Sequence, residues 1–349
     1  MKIPAFPRIF RVFVPILAMF IAATAAVAGT HPGEAAFARE MAQKYGLSER
    51  HVLDILDGAV RQQSILDAIS KPAESKPWKD YRPIFLTRAR IDGGVAFYTG
   101  NRDLLQSVAD EYGVDPEYIV AIIGVETSYG TNIGKYRVID ALTTLAFYYP
   151  PREKFFRGEL EKLLTMPEHQ LPMPIGELKG SYAGAMGWGQ FMPSSIAAYA
   201  RDADGDGRID LMGSLPDIVA SVANYLARHG WVMDAPVAVP AQRMADAQPV
   251  ETERSKPVHT VESLEARGYA ATTRVSAATP ATLLELAGAE GTEYWLTFGN
   301  FEVITRYNRS PLYAMAVTQL AAAIRDGVAA SGITEVAGAP APATASSVQ

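Results

Sequence analysis

The segment Asp115–Gly130, DPEYIVAIIGVETSYG, restricts the fold more than any other stretch of the chain. Asp115 followed by Pro116 marks a helix start, with Asp as N-cap and Pro at the first helical position, where no amide donor is required. Ile119, Ile122, Ile123 and Glu126 then recur at i, i+3, i+4 and i+7, which places a carboxyl on the apolar face of the helix. The chain must bury this face, and a buried carboxyl is costly unless it has a partner or a task. Glu126 also falls in the last turn, at the negative end of the helix dipole. Desolvation and dipole both oppose ionisation, so the spacing predicts an acid that keeps its proton near neutrality. Acid-assisted cleavage of a glycosidic bond requires such a group. Taken alone, the pattern is more simply a helix-end Glu paired with an Arg or capping a neighbouring backbone. The other motifs decide.

Lys179–Ser195, KGSYAGAMGWGQFMPSS, is crowded with Gly and Ala, which lets backbones approach closely. Helix packing would explain the small residues. It would not explain the interleaved Ser181, Tyr182, Trp188, Gln190 and Phe191, side chains that hydrogen-bond to and stack on sugar rings. Asn300–Tyr313, NFEVITRYNRSPLY, adds Tyr307, Asn308 and Tyr313. One at a time, each tyrosine reads as structural.

The remaining stretches set the class. Amphipathic helices are predicted over Ala35–Tyr45 and Glu49–Ile69, from an Asn101 cap to Tyr112, and in a pair over Arg137–Leu164 split by Tyr149-Pro150-Pro151. Others follow from Pro193, over Asp217–Arg228 and over Pro311–Arg325. Between Asp234 and Thr305, short Val- and Thr-bearing stretches alternate with Pro and Gly and read as strands. The class is mainly α with a small β insertion. The divisions are a helical subdomain at 29–100, a core at 101–233, a β subdomain at 234–305, a helical segment packing back at 306–336 and a disordered tail at 337–349.

At 349 residues, 48% hydrophobic and 20% charged, the chain is long and apolar enough for two or three packed subdomains, and disordered or collagen-like classes are excluded. A net charge of −6 gives no basic field for nucleic acid. With no cysteine, disulfides, thiolate metal sites, a Cys nucleophile and a lipid anchor are all excluded. The five histidines are scattered without zinc spacing. Lys2, Arg8 and Arg11, the apolar run Val12–Ala23 and the Ala26-Val27-Ala28 site make residues 1–28 a signal peptide. The rival, a membrane anchor, is opposed by Pro15 and by the short run. The mature protein is expected to be exported, periplasmic where an outer membrane exists, and monomeric.

Asp202-Ala203-Asp204-Gly205-Asp206-Gly207-Arg208-Ile209-Asp210 follows the first nine positions of a calcium loop. Carboxylates stand at 1, 3 and 5, Gly at 6 and the Arg208 carbonyl at 7. Position 12 is Gly213 where that loop has a bidentate Glu. The rival is a solvated acidic turn.

Together, GVETSYG (Gly124–Gly130), DALTTLAFYYPPR (Asp140–Arg152), the Lys179–Ser195 run, SVANYLARHGW (Ser221–Trp231) and ITRYNRSPLYAMAV (Ile304–Val317) resemble the MltB-type lytic murein transglycosylases. Ordered matches extend from about Tyr81 to about Leu320. The resemblance implies a lysozyme-like helical core with an N-terminal α subdomain and a small antiparallel β subdomain. It implies that Glu126 is the family's single acid and base, and that Ser181 positions the N-acetyl group or the attacking hydroxyl. Tyr81, Gln190, Phe191, Tyr225, Tyr307, Asn308 and Tyr313 are implied to line the glycan cleft. Of the family's paired arginines only Arg152 is present, beside Pro151, and Phe155 replaces a tyrosine. A variant calcium loop in the family is closed by a later Asp, here Asp217, so Asp202, Asp204, Asp206, Arg208 and Asp217 are the implied ligands. The calcium is structural, since the chemistry needs no cofactor.

The implied reaction opens the β-1,4 bond between N-acetylmuramic acid and N-acetylglucosamine and closes a 1,6-anhydro ring. The alternatives are a hydrolytic muramidase, which needs a second carboxylate, and a non-catalytic peptidoglycan-binding protein. No separate binding module is visible, so targeting falls to the cleft or to a partner among the cell-wall synthesis, division or secretion proteins.

Overall fold

The computed structural model describes residues 31–70, 76–252 and 256–332. The expected signal peptide (1–28) and the expected disordered tail (337–349) lie outside the described residues.

Helices α1 (Glu34–Tyr45), α2 (Glu49–Asp57) and α3 (Gln63–Ile69) open the chain. The single helix expected over Glu49–Ile69 is two helices. Beyond Gly58, the Val60 amide donates to Asp140 Oδ1 (2.9 Å) and the Gln62 amide to Thr144 Oγ1 (3.0 Å). Side chains of a later helix thus satisfy amides that a continuous helix would bond internally.

Helices α4 (Trp78–Phe85), α5 (Arg88–Gly100), α6 (Arg102–Tyr112) and α7 (Pro116–Thr127) follow. After them come strand β1 (Tyr136–Arg137), α8 (Val138–Tyr148), α9 (Glu153–Leu164), β2 (Lys179–Gly180), α10 (Pro193–Tyr199) and α11 (Leu215–Arg228). Asn101 precedes α6 as expected, but its side chain donates back to the Phe97 carbonyl and does not cap. Asp115 likewise makes no side-chain cap on α7. It accepts from Trp231 Nε1 (2.7 Å) and the Asp234 amide (3.1 Å), anchoring the exit of α11 to the base of α7.

The expected apolar stripe on α7 is in fact an apolar cylinder. Every residue from Ile119 to Val125 is buried, because α5, α6, α11 and the C-terminal helix surround it. A helix buried on all sides needs no polar face.

The β region contains β3 (Ala238–Arg243), β4 (His259–Thr260), helix α12 (Val261–Glu265), β5 (Tyr269–Ala271), β6 (Pro280–Ala287) and β7 (Thr292–Thr297). The strands form an antiparallel sheet in the order β4-β6-β7-β3-β5. Alternation along β6 serves two cores: Ala281 and Leu283 join Val261, Leu264, Tyr269, Leu296 and Phe298, while Leu284 and Leu286 pack on the helical body. Strands end at Thr297 and not near Thr305, since Gly299–Tyr307 forms helix α13.

Helix α14 (Pro311–Ala330) closes the body against α5 and α7. Its approach is close enough that a Cβ on Gly94 would stand 2.6 Å from Ile324 Cδ1.

Candidate active site

Glu126 occupies the last turn of α7, half-buried, and the chain turns sharply after it. Ser128 (φ 49°) and Tyr129 (φ 59°) both adopt left-handed backbone, with the Ser128 amide donating to Gly124 O (3.0 Å) and the Tyr129 amide to Ile123 O (3.4 Å). Consecutive non-glycine residues in this region are uncommon and persist only when surroundings hold them. Here Arg90 Nη2 donates to Ser128 Oγ (2.9 Å) and Tyr129 Oη to Arg90 O (2.8 Å), so α5 grips the turn.

Tyr313 comes from the first turn of α14, whose N-cap Ser310 Oγ accepts from the Tyr313 amide (3.3 Å). Its buried hydroxyl donates to Glu126 Oε1 at 2.6 Å. The negative end of α7 and the positive end of α14 therefore meet at one carboxyl, and the sequence reading had only the first. Burial, then the Glu126 charge, raises the pKa of Tyr313 and of Tyr307 well above the usual phenol range. Both remain hydroxyl donors at any physiological pH. Tyr307 donates to Gly189 O at 2.5 Å, and Tyr81 adds to the charge effect on Tyr313.

The Gly-rich run forms a folded hairpin. β2 pairs with β1, and bridges Gly180–Met186 and Met186–Phe191 continue the ladder. Ser181 Oγ accepts the amides of Ala183 (3.2 Å) and Ala185 (3.1 Å). Gln190, at φ 51°, donates through Nε2 to Gly187 O (2.9 Å) and Ile133 O (3.3 Å). Trp188 joins this hairpin to two neighbours. Its amide and Nε1 donate to Leu211 O (3.0 Å) and Met212 O (3.1 Å), and its carbonyl accepts from Thr127 Oγ1 (3.0 Å), the residue after Glu126.

Glu126, Tyr313, Tyr307 and Tyr81 thus come together, with Gln190 and Ser181 on the hairpin. Like Tyr81 and Tyr313 (each 2% exposed), others do not present a ring face to a ligand. Phe191 (2% exposed) and Tyr225 (8%) are packed in an aromatic cluster with Tyr307, and Tyr225 Oη is taken by Arg306 O at 2.6 Å. They shape the wall and offer no ring face to a sugar. Asn308 Oδ1 accepts the Ser310 amide (3.2 Å) and sets the turn between α13 and α14. Arg152 is exposed at the far end of α8, stacked over Phe155 (4.3 Å) and Phe156 (5.0 Å). The bracing roles of Arg90, Thr127, Tyr129 and Trp188 were not legible individually, although all but Arg90 fall inside the motifs.

In the acidic loop, carboxylate oxygens of Asp202, Asp204 and Asp217 lie within 4.8 Å of one another. Asp206 stands outside that convergence, its Oδ1 accepting the Arg208 amide (2.8 Å). Asp217 is buried, which pushes its pKa up, and it accepts amides from Ala203 and Asp210 (both 2.8 Å). A hydrogen bond from Ser214 (2.6 Å) pulls Asp204 down. Three hard oxygen donors at this spacing suit calcium.

A model of the transglycosylase SLT domain matches residues 29–322. The chain belongs to this family. It is 41% identical over 304 residues, 84% of this chain and 83% of the relative, to membrane-bound lytic murein transglycosylase B of Escherichia coli (strain K12). Catenated lytic transglycosylase SltB1 from Pseudomonas aeruginosa superposes with a TM-score of 0.79 at 46% identity, covering 85% of this chain and 98% of that one. The Escherichia coli lytic transglycosylase Slt35 in complex with calcium gives 0.78 at 40% identity, with 86% and 95% covered. The helical body is accordingly the lysozyme-like core of this family, with a small antiparallel sheet attached.

Within this family site, Tyr313→Phe deletes one hydrogen bond to a charged group, worth about 1.5–3 kcal/mol. The expected result is a fall in kcat of roughly 10- to 100-fold and a displaced pH–rate profile, with the melting temperature nearly unchanged. An unaltered profile would show that Tyr313 does not orient the acid.

Proposed function

We propose that this chain is an exported lytic transglycosylase that cuts the β-1,4 bond between N-acetylmuramic acid and N-acetylglucosamine in peptidoglycan without consuming water. The carrying observation is a carboxyl fixed by a permanently protonated tyrosine: Glu126 Oε1 held by Tyr313 at 2.6 Å. The other acids of α7 are engaged elsewhere, Asp115 with Trp231 and Glu117 with Arg325 (3.5 Å). That favours chemistry with one carboxylate over the paired arrangement of common hydrolases.

Glu126 gives its proton to the leaving O4 as the C1–O4 bond breaks. The substrate's own N-acetyl carbonyl stabilises the cation at C1. Glu126 then takes the proton of the muramic acid C6 hydroxyl, whose oxygen closes on C1. The base is restored to an acid and the product ends in 1,6-anhydromuramic acid. The C6 hydroxyl outcompetes water because it is tethered beside C1 at high effective concentration. Tyr313 keeps the carboxyl in place through both transfers, while Ser181, Gln190 and Tyr307 hold the hairpin that forms the facing wall.

Calcium fits the acidic loop through Asp202, Asp204 and Asp217, as a brace and not a reactant. Its anchor reaches Glu126 indirectly, because Leu211 and Met212 just beyond the loop bond Trp188, which bonds Thr127. Calcium is expected to raise the melting temperature by several degrees, and Asp217→Asn to abolish that increment. The gain should shrink below about pH 5, as protons compete for the carboxylates. An identical calcium response in the variant would remove Asp217 from the site.

The protein acts as a soluble periplasmic monomer on glycan strands. Among the described residues no helix is long and apolar enough to cross a membrane, and a chain without cysteine has no site for a thioether lipid. The test is mass spectrometry of muropeptides released from purified peptidoglycan. Products one water lighter than the hydrolytic ones are expected; reducing-end muramic acid would overturn the reading in favour of a hydrolase.

A further inference from the structure

Arg90, in the first turn of α5, has surroundings that the reaction above leaves unexplained. Its side chain is half-buried against the end of α7. Nη2 donates to Ser128 Oγ (2.9 Å), Nη1 donates to Ile84 O (2.6 Å), and the guanidinium lies 5.3 Å from the Phe85 ring centroid. Nε is buried without an acceptor. Among the described residues no carboxylate comes within ion-pair distance of it. Desolvation accordingly pulls its pKa below the usual arginine range. A guanidinium that has lost water without gaining an anion is costly, and the protein supplies none.

Arg90 borders a cavity of about 520 Å³, walled also by Gly93, Phe97, Ser128, Tyr129 and Thr131. The cavity starts two residues beyond Glu126. Its lining contains one formal charge, that of Arg90, among hydroxyls, an aromatic wall and a glycine that gives room. The planar guanidinium has five N–H groups, more than its two hydrogen bonds use, in the fork that matches a carboxylate. In peptidoglycan the carboxylates belong to the peptide stem on muramic acid, the sugar whose C1 lies at Glu126 in the reaction above.

We propose that this cavity is a carboxylate subsite that receives an acidic group of the peptide stem, with Arg90 as its cation. The proposal rests on the transglycosylase reading. On a chain of net charge −6, a local cation is what an anionic stem needs to settle beside the glycan cleft.

The test compares stem-bearing glycan strands with strands stripped of stems by an amidase, using wild type, Arg90→Lys and Arg90→Gln. In Arg90→Gln the kcat/KM ratio favouring stem-bearing strands should fall about tenfold, mainly through KM, and Arg90→Lys should keep part of it. Equal losses on both strands would overturn the proposal and leave Arg90 a brace for the Ser128 turn. Absence of turnover in folded wild type would instead sink the transglycosylase reading. A second measurement needs no variant. Muramyl dipeptide should inhibit wild type about tenfold better than the same compound with its one free carboxylate amidated. Equal inhibition by the two would overturn the proposal even if Arg90→Gln fails to fold.

Discussion

Glu126→Gln is expected to lower the rate of murein cleavage by about a thousandfold or more while leaving folding and glycan binding intact. The amide has nearly the volume of the acid and still offers an oxygen to Tyr313 Oη, so the packing around the end of α7 is kept. It can neither donate the proton that O4 needs nor accept the one from the C6 hydroxyl. Each transfer is worth roughly 10²- to 10⁴-fold, and both depend on the same side chain. Muropeptide release by the variant and wild type, with binding to insoluble peptidoglycan measured alongside, separates the cases. Retained binding with lost cleavage fits an enzyme acting through Glu126. Cleavage as fast as wild type would show that the acid lies elsewhere.

Gly130→Ala should strongly destabilise the protein through a single methyl beside the site. Gly130 has φ 79°, and an added Cβ would lie 2.2 Å from Trp188 Cε2. Left-handed backbone costs a non-glycine residue about 1–2 kcal/mol, and forcing the indole aside adds roughly 1–3. A loss near 3 kcal/mol is expected, read as a lower urea midpoint. Activity should fall with it, since the displaced indole is bonded through its backbone to Thr127 and through Nε1 to Met212 O. The double variant Gly130→Ala/Trp188→Ala decides the cause. If the ring is the obstacle, the alanine at 130 costs less once the indole is gone; strict additivity would place the cost in the backbone alone.

Much of the architecture was readable because the chain punctuates itself. Pro116, Tyr149-Pro150-Pro151 and Pro193 mark helix boundaries that the structure has, and Glu126 does lie in the last turn of its helix. Partners contributed by distant segments were not readable. Periodicity could place Ile119, Ile122 and Ile123 on one face but not reveal that Val120, Ala121 and Val125 are buried too, since the opposing helices come from other parts of the chain. Gly58 was no sufficient signal for the break before α3, which Asp140 and Thr144 enforce from eighty residues away. Phe191 and Tyr225 have the side chains of a sugar-binding cleft, yet burial turns both inward. Residue type announces what a ring can bind, whereas packing decides whether anything reaches it.

The bond between Glu126 and Tyr313 spans 187 positions. A chain threaded through a membrane from its N-terminus would deliver the acid well before the hydroxyl that orients it. Until α14 docks between α5 and α7, the carboxyl is mounted on a helix missing one of its walls and has no fixed aim. Arming of the cutter thereby waits on the docking of α14, and a chain truncated before Pro311 would be a blunt one.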